Sequence, residues 1–111
     1  MILEAKNITK SFLNHNGKLK VFSNLSLNVE KNDLITIMGP SGSGKSTLLN
    51  ILGTLEVFDE GSLTIDEEEI VNLNNVSLSK IRNKYLGFVF QFHHLIPEFN
   101  AIENVLIPLQ I

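Results

Sequence analysis

Three features of this 111-residue chain predict an α/β fold. Apolar residues alternate at strand spacing through Val29, and the run Asp33-Leu34-Ile35-Thr36-Ile37-Met38 reads as a buried parallel strand. A glycine-rich turn then opens into a helix, Lys45 to Leu52, whose apolar Leu48, Leu49, Ile51 and Leu52 recur at helical spacing before Gly53 stops it. Strand, turn and helix in that order are the setting a phosphate-binding loop requires.

The turn carries the motif that the rest of the chain is arranged around. Gly39-Pro40-Ser41-Gly42-Ser43-Gly44-Lys45-Ser46 fits G-x-x-x-x-G-K-[ST], and Thr47 follows it. Glycines let the backbone wind tightly with its N–H groups turned inward; those groups, with the N-terminus of the next helix, favour negative charge. Lys45 offers a point charge to the β- and γ-phosphates, and Ser46 offers a hydroxyl to a Mg²⁺ that bridges phosphate oxygens. Residues 39–47 are therefore expected to bind a Mg-nucleotide. The alternative, a glycine-rich turn without a ligand, does not explain the strand before it and the helix after it.

Ahead of the loop, Ile2 to Phe12 reads as a strand with one irregularity: Leu3 and Ala5 share a parity, whereas Ile8 and Phe12 fall on the other. A bulge near Asn7 reconciles them. Asn14-His15-Asn16-Gly17 reads as a turn, with His15 solvated, and Leu19, Val21, Leu25, Leu27 and Val29 alternate after it, so the segment is expected to be a β-hairpin. Beyond α-helical Lys45–Leu52, Asp59-Glu60-Gly61 marks another turn, and Leu63, Ile65, Ile70 and Val71 suggest two short antiparallel strands around acidic Asp66 to Glu69. An apolar strand ending in Asp66-Glu67 superficially suits a magnesium-holding, water-positioning role, but Thr64 interrupts it and further glutamates follow, as in a solvated turn.

Ser77 to Leu86 has Leu78, Ile81 and Tyr85 at helical spacing and Gly87 as a stop. Phe88-Val89-Phe90 reads as a second buried strand running into Gln91, and the carboxyl end of a parallel strand faces the ligand crevice, so Gln91 is expected near the phosphates. Phe92-His93-His94-Leu95-Ile96-Pro97-Glu98-Phe99 is too apolar for an idle loop. Adjacent His93 and His94 point apart and lack further ligands, so they are not expected to hold a metal. Asn100 and Glu103 are spaced as a capping box for a helix with Ile102, Val105, Leu106 and Leu109 on one face, which Pro108 should break.

Composition bounds the rest. Hydrophobic residues make up 43% and charged residues 19%, an ordinary globular balance that supports a core. Nine Lys plus Arg against twelve Asp plus Glu leave a net charge of −3, which argues against broad capture of nucleic acid. The absence of cysteine excludes disulfides and is compatible with a reducing cytosol. No uncharged apolar run approaches the roughly 18 residues of a membrane helix, and the N-terminal residues lack the apolar core of a signal peptide. Membrane association is therefore expected only through a partner.

Taken together, Gly39 to Thr47 and the later Phe88-Val89-Phe90-Gln91 resemble the nucleotide-binding subunits of ATP-binding cassette (ABC) transporters, over the whole chain. The resemblance implies a P-loop NTPase of the ABC ATPase type, with an antiparallel β subdomain and the start of a RecA-like parallel sheet. It makes residues 39–47 the Walker A motif and ATP with Mg²⁺ the cofactors, so that Gly39, Ser41, Gly42, Ser43, Gly44, Lys45, Ser46 and Thr47 bind the nucleotide. It makes Gln91 the Q-loop glutamine that senses the γ-phosphate and, with Ser46, the metal. Phe12 matches the aromatic residue that stacks on adenine, with phenylalanine where the family more often has tyrosine, and Val21 matches its apolar neighbour. A finer likeness, Gln91 to Phe99 with Glu103-Asn104-Val105, is to the lipoprotein-releasing ATPase subunits of bacteria and their macrolide-export relatives.

Those subunits lie in the cytoplasm, peripheral on the inner membrane against two membrane proteins. The resemblance thus implies transmembrane permease partners contacted through residues 92–99 and a second ATPase subunit with which ATP drives dimerisation. The family's signature loop, Walker B strand with its catalytic Glu, and switch His have no counterpart within residues 1–111, which are expected to be the N-terminal part of a single nucleotide-binding domain, inactive as an ATPase alone. Two other functions fit the loop: a P-loop nucleotide kinase, against which the preceding hairpin and the Gln91 segment speak, and a nucleotide-binding module without catalysis.

Overall fold

The computed structural model describes residues 1–70, 74–91 and 95–107. Within them run strands β1 (Leu3–Asn14) and β2 (Gly17–Val29), helix α1 (Lys45–Leu52), strands β3 (Glu60–Ile65) and β4 (Glu68–Glu69), and helices α2 (Asn75–Tyr85) and α3 (Ala101–Leu106). The strands form one antiparallel sheet in the order β2-β1-β3-β4. β1 is central, with Leu3 opposite Val29 and Ile65, and Ala5 opposite Leu27 and Leu63.

Both ladders of β1 slip where the parity of its apolar residues breaks. Asn7 has φ 53°, and the register shifts after Ala5 on one edge and after Lys6 on the other. The bulge turns Ala5 and Ile8 to the same side, and both are fully buried. β3 passes this bulge at Gly61, φ +110°, where a Cβ would lie 2.6 Å from the carbonyl oxygens of Lys6 and Asn7. Glycine is required there by both the left-handed backbone and the close approach. The hairpin turn is closed by Asn14 Oδ1, which accepts from the Asn16 N–H at 2.9 Å, and by Gly17 at φ +106°.

Ile8, Leu63 and Ile65 of the sheet join Leu48, Ile51 and Leu52 of α1, Ile70, and Ile81 of α2 in one hydrophobic cluster. Each fully buried branched side chain contributes about 1.5–3 kcal/mol of transfer free energy, so this cluster fixes α1 on the sheet. Leu49, on the far side of α1, is exposed. α2 starts ahead of the predicted Ser77 because Asn74 caps it, its Oδ1 accepting from the Ser77 N–H at 2.8 Å. The capping box of α3 is complete: Asn100 Oδ1 accepts from the Glu103 N–H, and Glu103 Oε1 from the Asn100 N–H, each at 2.9 Å.

Two expected strands are corrected. Asp33–Met38 and Phe88–Phe90 belong to no ladder among the described residues, and neither stretch is buried as predicted: Leu34 is 95% and Met38 85% exposed, and Val89 is fully exposed. A parallel strand becomes buried only between hydrogen-bonded neighbours under covering helices, and none of the described strands lies beside them. Ile37 does pack against the core, and the rings of Phe88 and Phe90 stack 5.6 Å apart, as residues two apart on one face do in a strand. Val71, Phe92, His93, His94, Pro108 and Leu109 lie outside the described residues, and with them the expectations placed on those positions.

Candidate phosphate-binding site

The loop between Gly39 and α1 is built on three glycines, two of them in close approaches and two at positive φ. A Cβ on Gly39 would stand 2.7 Å from Ser43 Oγ; Gly42 has φ +80°; and Gly44, φ +96°, lies so close to Val21 that a Cβ would overlap the valine methyl. The Ser43 N–H donates to Pro40 O at 3.2 Å, which closes the turn, and the Leu48 N–H donates to Gly44 O at 2.9 Å, which opens the helix. Leu48 is buried, so the first turn of α1 is anchored in the core.

Gly44 caps α1 without a side-chain acceptor, and the first turn holds no acidic residue. The first N–H groups of a helix lack intrahelical acceptors and carry the positive end of its dipole. Such an end, fronted by glycine backbone, suits an anion. Lys45 adds its ammonium at the mouth of the loop, where Nζ donates to Gly39 O at 2.5 Å and Pro40 O at 2.9 Å. Ser41, Ser43 and Ser46 are exposed, and Thr47 is half-buried.

Ser46 and Gln91 line one cleft of about 480 Å³, together with Leu3, Leu49, Asn50 and Phe90. What brings Gln91 there is packing at the other end of α1: Gly53 abuts the Phe88 ring so closely that a Cβ would overlap it. Gln91 thus shares the cleft of Ser46 although Phe88–Phe90 belongs to no ladder among the described residues. Thr54, next to Gly53, has φ 65°, and Arg82 of α2 holds it, Nε donating to Thr54 Oγ1 at 2.8 Å and Nη2 to Thr54 O at 2.6 Å.

Phe12 and Val21 lie on the two strands of the hairpin. Phe12 pairs with Leu19; the register of β1 against β2 slips between Lys10 and Ser11, opposite Phe22 and Lys20, and leaves Val21 in the bulge, facing Gly44. Lys10 is buried, its ammonium 3.1 Å from Glu56 Oε1 and 4.7 Å from the centroid of the Phe12 ring. Asp66 and Glu67 form an exposed turn between β3 and β4, at φ 46° and 68°, the solvated turn that their neighbours implied.

Sequence reasoning passed over three side chains here: Lys10, Arg82 and Asn104. Asn104 Oδ1 accepts from the Ile96 N–H at 2.8 Å, and its Nδ2 donates to the carbonyls of Ile96, Phe99 and Asn100 at 3.3, 3.2 and 2.9 Å. A short amide inside a helix competes with the backbone, and that local cost is the signal by which the role of Asn104 could have been found. Lys10 and Arg82 gave no such signal, since their partners are 46 and 28 residues away.

An antiparallel sheet feeding a phosphate loop at the head of a helix, with a glutamine across the cleft, defines a P-loop α/β protein. The chain belongs to the ABC transporter family, whose model matches residues 22–110. The lipoprotein-releasing system ATP-binding protein LolD of Porphyromonas gingivalis is 49% identical over 108 residues, covering 97% of this chain and 48% of that protein. LolD of Alcanivorax borkumensis is 47% identical over 110 residues, covering 99% of this chain and 48% of that protein. The dimeric post-hydrolysis state of the ATP-binding cassette MJ0796 bound to ADP and Pi superimposes with a TM-score of 0.90 at 42% identity, over 98% of this chain and 47% of that one. A nucleotide-free ATP-binding cassette from an ABC transporter matches less completely, with a TM-score of 0.60 over 71% of this chain. The chain spans about half the length of the curated relatives it matches.

Proposed function

We propose that these residues are the N-terminal part of the single nucleotide-binding domain of an ABC transporter ATPase subunit of the lipoprotein-releasing type. The observation that carries the reading is the shared cleft of Ser46 and Gln91 beside a glycine-built loop at the uncapped end of α1. Residues 39–47 hold the phosphates of ATP, Lys45 neutralises the β- and γ-phosphates, and Phe12 with Val21 receives the adenine. Identities of 47–49% to LolD proteins support the subfamily.

The donor set also fits a magnesium ion. The Ser46 hydroxyl and the Gln91 amide carbonyl are neutral oxygen donors on one cleft, and Mg²⁺ keeps waters and phosphate oxygens for its remaining positions. When bound, it would neutralise charge on the β- and γ-phosphate oxygens. Gln91 joins this site to the apolar stretch 92–99, through which we expect the subunit to meet its transmembrane permease partners. The described part of that stretch, Leu95, Ile96 and Phe99, is exposed. Among the described residues no helix is long and apolar enough to cross a membrane, consistent with attachment through partners. The dimeric MJ0796 cassette supports a second ATPase subunit as a further partner.

Calorimetric titration of ATP with Mg²⁺ into the complete protein and its Lys45→Ala variant tests this reading. Charge-assisted contacts of this kind are worth about 1.5–3 kcal/mol, so the variant should bind at least tenfold more weakly. Equal affinities would sink the assignment of residues 39–47.

A further inference from the structure

Phe12 has a neighbour that the adenine assignment does not use. Lys10 lies two residues before it, so both side chains leave the same face of β1. Lys10 is only 5% exposed, which for an ammonium is costly unless it is paired. Two partners meet it: Glu56 Oε1 at 3.1 Å, and the face of the Phe12 ring, 4.7 Å from the centroid. Phe12 itself remains 38% exposed, with Lys10 over one face of its ring.

Glu56 is tied in turn to the helix that begins at the phosphate loop. The N–H groups of Leu55 and Glu56 both donate to Asn50 O in α1, at 2.8 and 3.2 Å. A chain of contacts thus runs from the Phe12 ring through Lys10 and Glu56 to the C-terminal end of α1. Across the hairpin, Val21 rests against Gly44 at the other end of the same helix. The aromatic ring and the phosphate loop are linked to one rigid element by separate routes.

We propose that Lys10, held by Glu56, is a positioning residue for the nucleotide base: it fixes the Phe12 ring from behind so that the ring's open face stacks on the adenine of ATP. This rests on the ATP reading above. Pinning a ring in its bound orientation removes the ordering cost that a loose phenylalanine would meet on stacking. It also supplies a reason for phenylalanine to serve here, because orientation is set by the cation rather than by a ring hydroxyl.

The test is calorimetric binding of ATP and of inorganic triphosphate, each with Mg²⁺, to the complete protein. Lys10→Met keeps the apolar stem and removes the charge. Cation–π contacts correspond to roughly a 3- to 30-fold change in affinity, so Lys10→Met should weaken ATP by that factor while triphosphate binding stays within about twofold. Lys10→Arg should restore ATP affinity, and Glu56→Gln, which leaves Lys10 in place, should give a smaller loss that is again confined to ATP. If Phe12→Ala weakens ATP while Lys10→Met and Glu56→Gln do not, the positioning role is wrong. If Lys10→Met weakens ATP and triphosphate equally, Lys10 supports the scaffold and the proposal fails. Loss of both ligands on Lys45→Ala, with wild-type binding intact, keeps the phosphate-loop reading separate from either outcome.

Discussion

β1 carries the branched apolar residues Leu3, Ile8 and Leu13, and the shorter, more apolar segment Asp33–Met38 carries Leu34, Ile35 and Ile37, yet their surroundings are opposite. In β1, Ala5 and Ile8 are wholly enclosed, because β2 and β3 pair with both edges and α1 lies in the same cluster. In the later segment Leu34 and Met38 face outward and no ladder forms among the described residues. The antiparallel sheet finds every partner it needs within residues 3–69, through a hairpin and a short return. A parallel strand needs neighbours that arrive by crossover connections, often from far along the chain. Apolar composition therefore states where a segment is to be buried, not whether the covering elements are at hand.

Paired substitutions sharpen this contrast. Ile8→Ala should cost about 2–5 kcal/mol, the range for emptying a fully enclosed branched side chain, read as a lower urea midpoint with unchanged slope. Leu34→Ser in the 111-residue chain should cost less than about 0.5 kcal/mol, as for an exposed site. In the complete protein, where we expect strand neighbours on both sides of Leu34, the same change should cost about 1–3 kcal/mol. Equal costs for Leu34→Ser in the two lengths would break the comparison and leave the segment a surface loop.

The same contrast explains what was legible in the sequence. The bulge at Asn7 followed from a break in parity, the α3 capping box from Asn100 and Glu103 three apart, and the Asp66-Glu67 turn from crowded acids, because each depends on residues close in sequence. The glycine-built turn at the head of α1 was legible for the same reason, and Gln91, expected from its position after an apolar run to lie at the ligand crevice, shares a cleft with Ser46. Burial of that run was not legible, since it depends on neighbouring strands that are not found among the described residues. The Lys10–Glu56 pair and the Arg82 hold on Thr54 were equally invisible, as each joins residues that only the folded core brings together.

Asn104 offers a smaller effect at the surface rather than in the core. Its side chain holds the backbone of residues 96–100 by bonds to Ile96, Phe99 and Asn100, directly before the exposed face of α3 that carries Ile102 and Val105. Asn104→Ala should lower stability by only about 1 kcal/mol, because the freed groups are near water. If the proposed transporter reading holds, the part of ATP turnover in the complete protein that membrane partners stimulate should fall severalfold, while turnover by the ATPase subunit alone should not change. An unaltered partner response would show that the shape of residues 96–100 does not matter to coupling.

The smallest expected effect is none at all: Glu67→Gln should leave phosphate release by residues 1–111 at the background level of the wild-type chain. Hydrolysis needs a group that positions the attacking water and donors for the charge developing on the γ-phosphoryl. On the reading proposed above, Lys45, Ser46 and Gln91 hold the nucleotide, and contacts equally good in ground and transition states give affinity without rate. Asp66 and Glu67 are the acidic pair that could have filled the missing role from the end of a strand, but they form an exposed turn at positive φ, paired through β3 and β4 to the antiparallel sheet. They are absent from the cleft that Ser46 and Gln91 share. Lys45-dependent release of phosphate by the 111-residue chain would show that the antiparallel half carries catalysis after all, and its loss in Glu67→Gln would assign that catalysis to this turn.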